Sequence, residues 1–214
     1  MSNKNKLQKF AEIDEFSNVF QHDRSLKGKW KELVFKNENP LVLELACGKG
    51  EYSVGQGRMF PDKNFVGLDI KGNRIWKGAK TALDDGLDNV AFLRCMIHNI
   101  EEYFETDEVD EIWITFPDPQ PRKSKARHRL TSPRFIAKYQ DICKKGGTLN
   151  LKSDSTFFYE YTKEIAEELK LEIQENQPDV YGWEERPEVL NIRTFYESMW
   201  LEEGKKIKYL RMLL

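Results

Sequence analysis

The sequence has few of the residues on which several classes of protein depend. Its 214 residues include three Cys and three His, and no two cysteines form a CxxC pair. An odd number of widely spaced cysteines argues against a disulfide framework and a zinc ribbon, and predicts buried, reduced thiols in a cytoplasmic protein. The scattered histidines show no metal-ligand spacing, so we expect no metal site.

Long hydrophobic runs are also lacking. The longest apolar stretches, 41–46 and 112–116, are far shorter than the ~20 residues that a membrane span needs. The first ten residues, MSNKNKLQKF, do not contain the apolar region of a signal peptide. We therefore expect no membrane partner. Disorder is disfavoured too, because five Trp, eight Tyr and 13 Phe supply ample apolar area.

An excess of positive charge is absent, since 34 Lys and Arg stand against 36 Asp and Glu, for a net charge of −2. This balance excludes a uniformly basic nucleic-acid-binding protein. The positive charge is nevertheless concentrated, because residues 122–129 hold five Lys or Arg and one His. So dense a cluster predicts contact with phosphate groups, and the alternatives are a solvated loop or pairing with an acidic face of the same chain.

Strand-like and helix-like segments alternate along the chain. The predicted strands are 41–46, 64–70, 90–95, 110–116, 148–152 and 206–214, and the predicted helices are 51–60, 71–85, 100–104, 132–143, 155–169 and 194–203. This order predicts an α/β, Rossmann-like fold, with a mostly parallel twisted sheet, helices on both faces and an antiparallel C-terminal strand. Residues 1–30 are predicted to form a partly flexible N-terminal arm, docked by aromatic residues such as Phe20 and Trp30, before a single domain at 31–214.

The turn after the first strand carries the first candidate site. Glu44 lies in the strand end, Gly48 begins the turn, and Asp69 closes the next strand 21 residues later, a spacing that suits a carboxylate bound to ribose hydroxyls. A dinucleotide would place its pyrophosphate on the helix N-terminus. Carboxylates at Glu44 and Glu51 flank that position, and Ser53 replaces the third glycine of the dinucleotide motif. S-adenosylmethionine carries a sulfonium and an ammonium group and no phosphate, so the carboxylates favour it.

Two later strand ends carry further polar residues. Asn99 follows the third strand and could pair with both a donor and an acceptor of an adenine edge, although a local turn is the alternative. Asp118 follows the fourth strand, between prolines whose fixed φ angles stiffen the backbone. A rigidly held carboxylate beside the methyl donor is the arrangement that catalysis requires, so Asp118 is the predicted catalytic residue.

The chain resembles the bacterial tRNA (guanine-N7-)-methyltransferase family over about residues 30–205. The matching segments are LELACGKGE at 43–51, FVGLDI at 65–70, FPDP at 116–119 with the basic run and Arg-Leu after it, GGTLNLKSD at 146–154 and TFYE at 194–197. The resemblance implies a class I methyltransferase that moves a methyl group from S-adenosyl-L-methionine to N7 of a guanine in tRNA, G46 of the variable loop. It implies tRNA as partner. We expect the protein to be a monomer or a weak homodimer.

The resemblance also implies roles for individual residues. Cofactor binding is assigned to Glu44, Gly48, Asp69, Asn99 and Asp118, the last of which is also catalytic. Substrate binding is assigned to Arg122, Asp154, Thr194, Phe195, Tyr196 and Glu197. Contact with RNA is assigned to Lys123, Lys125, Arg127, His128 and Arg129.

The sequence departs from the family's pattern at three positions. Gln120 stands where the family commonly has Trp, and Asn99 stands where it often has Asp. Arg122 stands where the family usually has Lys, so a planar guanidinium replaces the compact charge of an ammonium group. If the family's Trp stacks on the target base, Phe116 or Tyr196 would have to replace it.

Some of the same residues also have structural interpretations. Thr194 and Glu197 match a capping box that opens a helix. Asp154 or Ser155 could cap the helix that follows. Three other functions stay open at this point: a methyltransferase that acts on an amino group, an inactive RNA-binding protein on the same fold, and a nicotinamide-dependent reductase.

Overall fold

Strands and helices alternate along the chain, as the sequence predicts. The computed structural model describes the backbone of residues 3–214 and the side chains of residues 7–214, so Met1 and Ser2 of the predicted arm lie outside the described residues. The chain divides into two units, one that ends at Glu105 and one from Thr106 to Leu214. The predicted boundary at residue 30 stays a prediction.

The first unit contains a parallel sheet in the order β1-β4-β3-β2. Its elements are α1 (Asn3–Glu12), β1 (Val19–Gln21), a π-helical turn (Trp30–Phe35), β2 (Leu41–Leu45), α2 (Glu51–Met59), β3 (Asn64–Asp69), α3 (Gly72–Asp84), β4 (Val90–Arg94) and a 3-10 helix (Ile97–Glu102). Every residue of β2 and β3 is buried. Burial on both faces explains why these strands are almost continuously apolar in sequence.

The N-terminal segment of this unit is docked by its aromatic residues, as predicted. Trp30 is fully buried, stacks on Phe104 at 5.4 Å between ring centroids, and donates its Nε1 hydrogen to the Tyr103 carbonyl at 3.0 Å. Phe20 meets Trp30 edge-on at 5.5 Å. The unpredicted strand β1 carries Phe20 and pairs with β4, so main-chain hydrogen bonds also hold the segment.

The second unit contains four strands in the order β5-β6-β8-β7. Its elements are β5 (Val109–Thr115), a 3-10 helix (Lys123–His128), α4 (Pro133–Ile142), β6 (Cys143–Ser153), α5 (Thr156–Glu168), β7 (Ile173–Gln177), α6 (Phe195–Glu202) and β8 (Lys208–Leu213). β5 and β6 are parallel, while β8 runs antiparallel to β6 and β7. The mostly parallel sheet and its antiparallel C-terminal strand confirm the predicted fold class.

The structure differs from the sequence prediction around α4 and β6. The helix ends at Ile142, and β6 begins at Cys143 rather than at Thr148. The pairing of β5 with β6 shifts register between Val109 and Glu111, which absorbs the extra residues around the glycine pair in an irregular extended segment.

The three cysteines are free thiols and buried, as the sequence predicts. In the described part of the chain, no helix is both long and apolar enough to cross a membrane.

Candidate functional site

The turn after β2 has an unusual backbone. Ala46, Gly48 and Gly50 have φ angles of 58°, 58° and 68°. A Cβ atom added at Gly50 would lie 2.4 Å from the Phe92 ring, whereas one added at Gly48 would meet only the Ala46 carbonyl at 4.0 Å. Gly50 is therefore required for packing, and Gly48 leaves its backbone open to a ligand. A left-handed alanine costs about 1 kcal/mol, and such strain is concentrated at functional sites.

Glu44 lies beside this turn and is only 4% exposed. Its Oε2 atom accepts hydrogen bonds from the Ser53 amide at 2.9 Å and from the Ser53 hydroxyl. The carboxylate thus occupies the first turn of α2, where a pyrophosphate would otherwise bind. This geometry disfavours an anionic dinucleotide and suits a ligand with a positive charge.

Asp69 joins the turn to the end of β3. Its Oδ2 accepts from the Gly48 amide at 3.0 Å, and its Oδ1 accepts from the Lys71 amide at 2.8 Å. Each oxygen of a carboxylate has a second acceptor position, so Asp69 can still receive a ligand hydroxyl. The structure therefore brings together Glu44, Gly48 and Asp69 at the ends of neighbouring parallel strands.

Cys47 lies within the same turn but is not a nucleophile. Burial raises the pKa of its thiol well above the usual value, and the charges of Glu44 and Asp69 raise it further. A protonated, buried thiol is inert.

Asn99 lies at the third strand end of the same unit. It is partly exposed, and its φ and ψ of −107° and 21° depart from helical values. Its main-chain amide donates to the Met96 carbonyl at 2.9 Å. The described contacts do not join its side chain to Glu44 or Asp69.

The proline-rich turn after β5 holds Asp118. Phe116 and Gln120 have φ angles of 47° and 45°, in the left-handed region. Asp118 is exposed, and its Oδ1 accepts from the Gln120 amide at 3.0 Å. The Phe116 amide donates to the Lys152 carbonyl of β6 at 2.8 Å. These bonds tie the turn to β6 and to Asp118, and among the described residues the second oxygen of Asp118 has no hydrogen bond.

The basic segment follows at once as the 3-10 helix Lys123–His128, preceded by Arg122. Its cationic side chains are exposed: Arg122, Lys123, Lys125, Arg127 and His128. No carboxylate of residues 7–214 forms an ion pair with any of these cations. This excludes pairing with an acidic face within the described chain. Arg129 differs, because it is buried.

Asp154 follows β6, and the structure decides between the two predicted helix caps. Ser155 is the N-cap of α5, with its Oγ accepting from the Phe158 amide at 3.2 Å. The Asp154 carboxylate instead lies 4.0 Å from the Lys205 ammonium and is partly exposed.

The 194–197 segment forms the predicted capping box at the start of α6. The Glu197 amide donates to Thr194 Oγ1 at 3.1 Å, and the Thr194 amide donates to Glu197 Oε2 at 3.4 Å. Phe195 and Tyr196 are about half exposed, with their rings edge-on at 5.6 Å. The buried residues Thr194 and Glu197 therefore shape the start of the helix, and the aromatic residues Phe195 and Tyr196 are exposed to solvent.

Glu197 has a buried partner that the sequence did not predict. Lys152 of β6 is fully buried and lies 2.7 Å from Glu197 Oε1. Burial lowers the pKa of Lys152, and Glu197 opposes that shift. The only available signal was a lysine within the apolar strand sequence TLNLKS.

The mostly parallel sheet, the glycine turn and the two carboxylates at successive strand ends define a Rossmann-like methyltransferase of class I. Solved structures share this fold: the 16S rRNA methyltransferase KamB (17% identity, 86% of this chain and 91% of that chain, TM-score 0.64) and a SAM-dependent methyltransferase from Aquifex aeolicus (15% identity, 100% and 99%, TM-score 0.57). At these identities, the similarity shows the fold alone.

Sequence comparison identifies the family. Residues 38–210 match the family model described as "Putative methyltransferase". A protein of Christiangramia forsetii named tRNA (guanine-N(7)-)-methyltransferase is 51% identical, over 99% of this chain and 98% of that protein. The chain belongs to the bacterial tRNA (guanine-N7-)-methyltransferase family.

Proposed function

We propose that this protein transfers the methyl group of S-adenosylmethionine to N7 of a guanine in tRNA, at G46 of the variable loop, in the cytoplasm. The observation that carries the proposal is the exposed basic helix Lys123–His128, which begins five residues after Asp118 and has no carboxylate partner among the described side chains. The names of relatives such as the Christiangramia forsetii protein support the same substrate and position on the base. The choice of G46 rests on the family resemblance.

The first unit carries the groups that suit the methyl donor. S-adenosylmethionine supplies an electrophilic methyl group on a positively charged sulfonium. Glu44 places a negative charge beside the glycine turn, Asp69 can accept from ribose hydroxyls, and Gly48 allows a close approach to the backbone. Asn99 is proposed to read the adenine edge.

The second unit carries the groups that suit the guanine. N7 of guanine has a free lone pair, so no proton must be removed before attack and no general base is needed. The N7–methyl bond forms from that lone pair while the sulfur–methyl bond breaks, and positive charge moves from sulfur to the purine ring. Asp118 accepts hydrogen bonds from the guanine edge and stabilises that charge.

Recognition of RNA is proposed to use both the basic helix and α6. Lys123, Lys125, Arg127 and His128 contact phosphates, and Arg122 adds a two-pronged donor beside Asp118. Tyr196 and Phe195 offer exposed rings for stacking, in place of the tryptophan that Gln120 replaces. Thr194, Glu197 and Asp154 complete the proposed substrate-binding set.

The decisive experiment is incubation of the full chain with unmodified tRNA and labelled S-adenosylmethionine, followed by nucleoside analysis. We expect 7-methylguanosine. Label in an exocyclic amine would support the amino-group alternative, and absence of both label and S-adenosylmethionine binding would support the inactive RNA-binding protein.

Asp118→Ala should lower kcat by about a hundredfold, because it removes a pre-positioned charge at the reacting base. Glu167→Ala is the matched control, since Glu167 is an exposed carboxylate on α5 of the same unit. Equal activity of the two variants would contradict the role of Asp118.

The triple variant Lys123→Ala, Lys125→Ala, Arg127→Ala should weaken tRNA binding and flatten the plot of log affinity against log salt by about 2 to 3 units of slope. Lys145→Ala with Lys170→Ala removes two exposed cations outside the basic helix as a control. An unchanged slope in the triple variant would refute the proposed RNA contact.

A further inference from the structure

Arg129 is set apart from the other cations of the basic segment by its burial. It is 6% exposed, whereas Lys123, Lys125 and Arg127 are exposed. A side chain so enclosed is poorly placed to neutralise a phosphate on the surface. Its guanidinium must therefore be explained by contacts within the fold.

Those contacts join the turn after β5 to helix α5. The Arg129 Nε donates to the Gln120 carbonyl at 3.1 Å, and Nη2 donates to the Pro121 carbonyl at 3.4 Å. The guanidinium carbon also lies 4.3 Å from the centre of the Tyr161 ring and 4.7 Å from that of Phe157. Two main-chain acceptors and two aromatic rings thus stabilise a cation that has no carboxylate partner among the described residues.

The residue whose carbonyl Arg129 holds also contacts Asp118. Gln120 has a φ of 45°, in the left-handed region that few non-glycine residues adopt. Its carbonyl accepts from Arg129, and its amide donates to Asp118 Oδ1 at 3.0 Å. One strained residue therefore links the buried guanidinium to the carboxylate proposed to hold the guanine.

We propose that Arg129 is a positioning residue for Asp118, which it holds through the main chain of Gln120, and that it does not contact RNA phosphate. The inference rests on the proposed function of Asp118. It assigns the last cation of the basic segment to the reaction site and leaves RNA binding to the exposed members.

The geometry also explains why this position requires arginine. The planar fork can donate to two neighbouring carbonyls while its face lies on an aromatic ring. A lysine would keep the charge but could not reproduce both the pair of hydrogen bonds and the stacking. A phosphate contact, by contrast, would tolerate lysine well.

The test compares Arg129→Lys and Tyr161→Leu with the full-length wild type. Both variants keep a cation at residue 129, and Tyr161→Leu removes the ring on which the guanidinium lies. We expect each to lower kcat by about tenfold or more, because a small displacement of a catalytic group has a large effect on rate. The KM for tRNA and the slope of log affinity against log salt should stay within experimental error of wild type.

Lys125→Ala is the comparison for a true phosphate contact, and should raise KM and flatten the salt slope. Thermal unfolding and binding of S-adenosylmethionine confirm that each variant is folded. Wild-type kcat in Arg129→Lys would overturn the inference, as would a change in Arg129→Met of about 0.7 to 0.9 in the salt slope. Failure of the proposed function is distinguishable, because wild type itself would then form no 7-methylguanosine.

Discussion

The buried ion pair between Lys152 and Glu197 permits a quantitative prediction. The ammonium lies 2.7 Å from Glu197 Oε1 and also donates to the carbonyls of Leu190 at 2.8 Å and Ile192 at 3.0 Å. Lys152→Met keeps an unbranched side chain that is one atom shorter, and it leaves a buried carboxylate and two carbonyls without this donor. Removal of one partner of a buried pair costs about 3 to 5 kcal/mol of unfolding free energy.

For a chain of 214 residues, that loss corresponds to a fall in Tm of about 6 to 20 °C, at roughly 2 to 4 °C per kcal/mol. The assay is urea denaturation at pH 7, followed by far-UV circular dichroism and supported by thermal melts. The matched control is Lys80→Met, which breaks an exposed i,i+4 pair with Asp84 at 3.1 Å. That variant should lose less than about 0.5 kcal/mol.

The double variant Lys152→Met, Glu197→Gln tests the reason for the loss. Its glutamine carries no charge and can still accept from the Tyr181 hydroxyl, which lies 2.9 Å from the carboxylate in the wild type. Because the cost arises from an unpaired buried charge, the double variant should be more stable than Lys152→Met by about 2 kcal/mol. A Lys152→Met variant no less stable than Lys80→Met, or a double variant without recovery, would refute the reasoning.

Two further predictions concern the first unit and the buried thiols. Burial raises the pKa of Cys95 and Cys143 from 9.0 to about 12, so the folded protein retains protons that the unfolded chain releases. Their contribution to stability is complete below pH 9 and should fall between pH 9 and 12 by up to about 1.4 kcal/mol per pH unit for each thiol. Denaturation curves at pH 8 and 10 should show a smaller fall in Cys95→Ala, and an equal fall would contradict the shift. Gly78→Ala would place its Cβ 2.6 Å from the Lys49 carbonyl in the glycine turn. Calorimetry should therefore show weaker binding of S-adenosylmethionine, and denaturation should show a loss of about 1 to 3 kcal/mol of unfolding free energy. At Gly86 an added Cβ would meet nothing within 4 Å, although its φ of 66° is left-handed. Gly86→Ala should therefore lose some stability through backbone strain but leave the affinity unchanged, and a similar loss of affinity in both variants would count against the close packing.

Individual strands differ in how well the sequence predicts them. β2 and β3 are buried on both faces, so their apolar runs are unambiguous. β1 has three residues, and β7 has the polar sequence IQENQ with no buried residue. β1 forms because it pairs with β4, and β7 forms because it pairs with β8. Each of these partners lies far away in the sequence, so no local pattern predicts the pairing.

The site shows the same division. The positions of Glu44, Gly48 and Asp69 follow from a strand, a turn and a helix that are adjacent in sequence. Their contacts in the structure agree with the predicted proximity. The contacts of Lys152 with Glu197 span 45 residues, and no local pattern indicates them.

The sequence by itself determined the alternation of strands and helices, the glycine turn after β2 and the clustering of positive charge after Asp118, because periodicity, glycine and proline act on neighbouring residues. Only the tertiary structure decided which charges face solvent. Lys123 and Arg129 look alike in the sequence, yet one is exposed and the other lies against Phe157 and Tyr161. The physical reason is that the cost of burying a charge depends on the groups that the fold brings to it. The acceptor carbonyls of Gln120 and Pro121 are near Arg129 in the sequence, but the two aromatic rings come from α5, some 30 residues further along the chain.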